Sequence, residues 1–138
     1  MARTEINRVH WSLIALGCFC VFVIAVTLHP NASGHGTHIQ LGLPPCGFLT
    51  LTGFPCPGCG LTTSFSNLAR GQIRAAYDAN PFGILLFATM GFTFALSIVG
   101  FVRGWDFWPT IVRFQLDRWA IALAVIGLLS WLVRLSLG

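Results

Sequence analysis

Apolar residues fall into three long runs, separated by segments rich in glycine, proline and polar side chains. The first extends from Trp11 to Leu28 with no charge inside it. The second extends from Pro81 to Val102, and the third from Trp119 to Leu137 with Arg134 near its end. Lipid offers no partner for backbone N–H and C=O groups, so a crossing segment must be a helix of roughly 20 largely apolar residues. The second run meets that length. The first and third reach it with snorkelling arginines and interfacial tryptophans at their ends. The pattern predicts an all-α integral membrane protein, one membrane domain over residues 1–138, with transmembrane helices at about 11–28, 81–102 and 119–137.

The stretch between the first two runs, residues 29–80, carries most of the polar chemistry. From His29 to Pro45 it is rich in Gly, Pro and His and reads as irregular. After Gly60 a short helix is expected, with Thr62 or Thr63 as its cap. Leu61, Phe65 and Leu68 recur there at helical spacing. Arg70-Gly71 breaks that helix, and Ile73, Ala76 and Tyr77 suggest a further amphipathic turn or two. Amphipathic segments beside spanning helices lie in the interface plane, which is where this unit is expected. Asn80-Pro81 then opens the second span, with Asn as cap and Pro in the first turn.

Composition supports the membrane reading. Hydrophobic residues make up 55% of the 138 positions and charged residues only 9%, against about a quarter in soluble domains. Eight arginines and no lysine face four acids, a formal +4. The arginines stand singly at the ends of apolar runs, so no nucleic-acid patch is formed. Arg3, Arg8, Arg103, Arg113 and Arg118 fall on one side of three spans, together with Trp11, Trp105, Trp108 and Trp119 as an aromatic belt. Arg70, Arg74 and Arg134 fall on the other. The positive-inside rule places the N-terminus in the cytoplasm and the 29–80 loop outside the inner membrane. Arg3 and Arg8 before an apolar run also resemble the start of a signal peptide. The run is long, however, and Asn31-Ala32-Ser33 is a poor cleavage site, so an uncleaved helix is expected. Ala15-Leu16-Gly17-Cys18 does not suit a lipoprotein, because the apolar run continues to Leu28.

Cys56-Pro57-Gly58-Cys59-Gly60 is the sharpest motif. Two cysteines three apart around Pro-Gly form a tight turn that aims both sulfurs one way. That geometry suits half of a tetrahedral zinc site or a thiol–disulfide pair. Cys46 supplies a third sulfur if the chain doubles back. His35 or His38 could complete a zinc set, here taken as Cys46, Cys56, Cys59 and His38. A disulfide among the loop cysteines is the alternative in an oxidising compartment. The competing enzyme reading is a membrane thiol–disulfide oxidoreductase, with Cys56 attacking and Cys59 resolving, and it is the less favoured. Cys18 and Cys20 lie on opposite faces of the first helix and read as small hydrophobes. Asn31-Ala32-Ser33 matches a short glycosylation pattern. No ionisable group lies deep in a span, which argues against a pump or coupled transporter. Gly91, Ala95 and Gly100 offer close-approach positions on the second helix, so partners are expected among membrane subunits or copies of the chain.

From Cys46 to Pro81 the chain resembles a family of small bacterial membrane proteins of unknown function, DUF2752. The matching elements are Cys46, Leu51-Thr52-Gly53, Cys56 to Thr62, Arg70-Gly71 and Asn80-Pro81. The resemblance implies a bacterial membrane protein with three matched cysteines, and no established activity. Two positions depart from the family pattern. Thr63 stands where members typically carry Arg, and Gly47 where they often carry Pro.

Overall fold

The computed structural model describes residues 2–137, with side chains from 4 to 136, so the Arg3 side chain lies outside the described residues. Among these residues seven α-helices follow in order: α1 Ala2–Thr27, α2 Gly47–Thr52, α3 Leu61–Leu68, α4 Ile73–Ala79, α5 Pro81–Arg103, α6 Phe107–Arg113 and α7 Leu116–Leu137. A 3-10 turn, Thr37–Leu41, lies between α1 and α2, inside the stretch expected to be irregular. Among the described residues there is no strand. Among the described residues, three helices are long and apolar enough to cross a membrane: Thr4–Thr27, Pro81–Arg103 and Leu116–Ser136. This is the architecture of a multi-pass membrane protein. Helix α1 starts well before Trp11. No Gly or Pro interrupts residues 4–10, and extending an existing helix adds a hydrogen bond for each residue fixed. It stops short of His29, whose neighbour Pro30 disfavours a helical backbone before it.

Helices α1 and α5 pack antiparallel. Phe22 meets Phe87 and Phe94 edge-on at 5.2 and 5.8 Å between centroids. At the other end the Trp11 ring lies on Gly100, where an added Cβ would come within 2.6 Å of it. Trp11 is only 1% exposed, and its Nε1 donates to the Trp105 carbonyl at 2.9 Å. Its place in an aromatic belt is therefore corrected: a glycine-floored slot and a carbonyl acceptor draw the indole inward. Trp108 and Trp119 stay exposed, as belt residues do. Of the three close-approach positions, Gly100 serves within the chain. Gly91 has open space beside it, and Ala95 is exposed.

Helix α3 departs most from expectation. Thr63, Ser64, Phe65, Ser66 and Asn67 are all buried, where α3 packs against α1, α4 and α5. Small hydroxyls make the close approach possible. A Cβ on Gly83 of α5 would sit 2.5 Å from Ser64 Oγ. Two of these side chains are paired in the way burial demands: Thr63 with Thr37 at 2.7 Å, and Ser64 Oγ donating to the Asn80 carbonyl at 3.2 Å. Ser66 Oγ is buried without a hydrogen-bond partner among the described residues. The α3 cap is Gly60 rather than Thr62 or Thr63, with φ +86° and no side-chain bond, because Thr63 is spent on Thr37. Arg70 donates to the Val26 and Ala25 carbonyls at 3.0 and 3.4 Å. It thereby closes the C-terminal end of α1, where carbonyls lack helical partners.

Candidate functional site

The three loop cysteines reach one point from two local structures. Cys46 occupies the N-cap position of α2, and its carbonyl accepts Thr50 N–H and Oγ–H at 3.0 and 2.9 Å. Gly53, at φ +75°, ends that short helix and turns the chain back. Pro57 and Gly58 then make the tight turn expected between the other two cysteines, closed by Cys59 N–H to the Cys56 carbonyl at 3.0 Å. Gly60 follows in the left-handed region, and α3 begins.

The turn is clamped from outside by groups remote in sequence. Asn80 Nδ2 donates to the Cys59 carbonyl at 3.0 Å, and Arg134 Nη1 donates to the same oxygen at 3.2 Å. Arg134 Nη2 also reaches the Ala79 carbonyl at 3.2 Å. Trp131 Nε1 donates to the Pro55 carbonyl at 2.7 Å, and its ring meets Phe48 of α2 at 6.2 Å. Asn80 holds the cap position of α5, but its amide makes no cap bond there. The Cys59 carbonyl claims it instead.

The Cys46, Cys56 and Cys59 sulfurs all lie within 4.8 Å of one another, with Cys56 and Cys59 3.1 Å apart. All are free thiols, since a disulfide would bring two sulfurs to about 2.05 Å. Thiolates bound tetrahedrally at 2.3 Å to one zinc would stand about 3.8 Å apart, so a metal ion needs only small shifts here. Cys59 is buried, while Cys46 and Cys56 are half-buried. His38 is not in this cluster; its Nε2 lies 3.3 Å from the Pro44 carbonyl. His35 is exposed. Among the described residues no fourth His, Cys, Asp or Glu joins the three sulfurs.

The thiols are not equivalent. The Leu49 backbone N–H, in the first turn of α2, does most to lower Cys46, helped by the Cys59 and Cys56 thiols, and the group falls to about 7. That amide acts without closing a cap hydrogen bond. Burial, then the Cys56 thiol beside it, pushes Cys59 up to about 12. The thiolate is the reactive form. In metal-free, reduced protein, iodoacetamide labelling of Cys46 should therefore climb as pH rises through about 7 and then level off, while Cys59 stays protonated and slow. Peptide mapping across a pH series checks this. Cys59 as the fastest site would reverse the assignment.

Cys18 is buried and Cys20 exposed, both remote from the cluster. Asn31 Oδ1 accepts from Ser33 N–H and Oγ–H in a local turn. Asn80, Trp131 and Arg134 are site residues that sequence reasoning did not assign. Arg134 carried a signal, as the one charge within an apolar run. Trp131 carried none. Thr63 is fully buried against Thr37, so a longer side chain there would have to displace the 3-10 turn.

No curated protein and no solved structure matches the chain. Residues 46–94, which take in all three cysteines, the clamp residue Asn80 and the first half of α5, match the family model described as "Protein of unknown function (DUF2752)".

Proposed function

We propose that the chain is a small multi-pass inner-membrane protein whose Cys46–Cys56–Cys59 centre binds a thiophilic metal ion such as zinc, tying α2 to the Cys56–Cys59 turn. It serves as an accessory or assembly subunit of a larger membrane complex or of a homo-oligomer. The observation that carries the metal reading is the convergence of three sulfurs from two separate segments within 4.8 Å. Soft thiolate donors select zinc and copper(I) over magnesium, calcium or manganese. The subunit reading rests on the open face of α5 at Gly91 and on α7, whose apolar window holds no fully buried residue. The arginine count, five against three, favours a cytoplasmic N-terminus and an outer cysteine loop.

A second reading draws on the 3.1 Å approach of Cys56 and Cys59. As an oxidoreductase, the pair would close to a disulfide while a partner's disulfide is reduced to two thiols. Metal content and free-thiol count on detergent-purified, unreduced protein separate the two. About one metal ion per chain, with loop thiols blocked until a chelator is added, is the expected result. No metal, with two thiols recovered only after reduction, would favour the redox reading. No metal and all thiols free would remove both.

A further inference from the structure

Resting on the metal reading above, we infer that the centre is open: it holds a soft cation by three sulfurs of this chain and takes its fourth ligand, a thiolate, from outside the chain. Closed structural zinc sites use four protein ligands, whereas sites that exchange a ligand keep one position free. Here the described residues supply three. His38, the natural candidate for a fourth, lies outside the cluster and near the Pro44 carbonyl instead.

The position of the turn does not depend on a metal. Asn80, Arg134 and Trp131 fix it through the Cys59 and Pro55 carbonyls, and Gly60 seats it against the Ala79 and Gly34 carbonyls. None of these contacts involves a sulfur. Small closed zinc modules, by contrast, are unfolded without their ion. A cradle formed in advance suits an ion that comes and goes.

The sulfurs are also reachable. Cys46 and Cys56 are half-buried, and Pro57 and Gly58 beside them are exposed. Gly58 leaves Cys56 Sγ uncovered: a Cβ there would itself stand 3.9 Å from that sulfur. An all-sulfur set makes the bound cation soft, and a soft cation prefers a thiolate to water or carboxylate as its added ligand. The incoming thiol binds as thiolate and gives its proton to the buffer, with no change in oxidation state.

The test loads the full chain in detergent with cobalt(II), without oxygen, and titrates β-mercaptoethanol. Saturable growth of the sulfur-to-cobalt charge-transfer band by about one third, as three Co–S bonds become four, is expected. Far-UV circular dichroism should be the same with and without the ion. A four-coordinate cobalt spectrum that ignores added thiol would show a closed site and overturn the inference while leaving the metal reading intact. Failure of the protein to bind cobalt at all would overturn both. Cys46→Ser, on the half-exposed start of α2, should keep the fold and lose about a third of the starting band. Loss of the fold on removing the ion would overturn the preformed cradle.

Discussion

Replacing Gly60 with alanine is expected to dismantle the cysteine loop. Gly60 sits at φ +86°, where a β-carbon strains the backbone by about 1–2 kcal/mol. The new atom would also fall 2.3 Å from the Ala79 carbonyl oxygen and 2.9 Å from that of Gly34. Both obstacles are backbone, so neither swings aside as a side-chain tip would, and overpacking of this kind costs about 1–3 kcal/mol more. The turn must lift away from the α4–α5 junction, carrying the Cys59 carbonyl away from Asn80 and Arg134. Gly60→Ala should lower the thermal midpoint in detergent, leave all three loop cysteines open to alkylation and abolish metal retention. Gly58→Ala is the matched control, because its Cβ meets only Cys56 Sγ, at an ordinary 3.9 Å. Equal behaviour of the two variants would show that close packing at Gly60 does not hold the site.

Arg134→Met should release α7 from the loop. The guanidinium makes two charged hydrogen bonds to carbonyls on different segments, Cys59 and Ala79. Such bonds contribute about 1.5–3 kcal/mol each when sheltered, and Arg134 is only partly buried, so a total near 2 kcal/mol is expected. Little else ties α7 to the chain: Phe82 against Gly127, Trp131 on Pro55, and Phe48 beside Trp131. The variant should unfold at lower temperature, with altered Trp131 fluorescence and faster labelling of Cys56 and Cys59. Arg134→Lys should recover part of the loss, since one ammonium cannot reproduce a forked donor aimed at two oxygens. A midpoint and cysteine protection equal to wild type in Arg134→Met would remove Arg134 from the clamp.

The long helices were legible because the bilayer imposes a simple local rule. A segment that leaves water must satisfy its own backbone groups, so Pro81 to Val102 announces itself by length and apolarity alone. The Cys56–Cys59 turn was legible for a similar reason: Pro and Gly between the two cysteines act over four residues. The convergence of Cys46 was also anticipated, though not the short helix α2 whose first turn presents it. His38 shows where that reach ends. It lies close in sequence to Cys46, yet its ring faces the Pro44 carbonyl, and spacing through an irregular stretch does not set a direction.

What the sequence by itself determined was the set of apolar spans, their punctuation by Pro30, Gly71 and Pro81, and the pair of sulfurs on one turn. Each follows from interactions between residues near in the chain or between the chain and its solvent. The tertiary structure decided the rest. Only packing could place Trp11 on Gly100, bury the hydroxyls of α3 against Gly83 and Thr37, and bring Arg134 and Asn80 to one carbonyl of the cysteine turn. Those contacts join residues far apart in the chain, Arg134 and Cys59 by 75 positions. Periodicity along one helix reveals which face is apolar, but not which partner covers it.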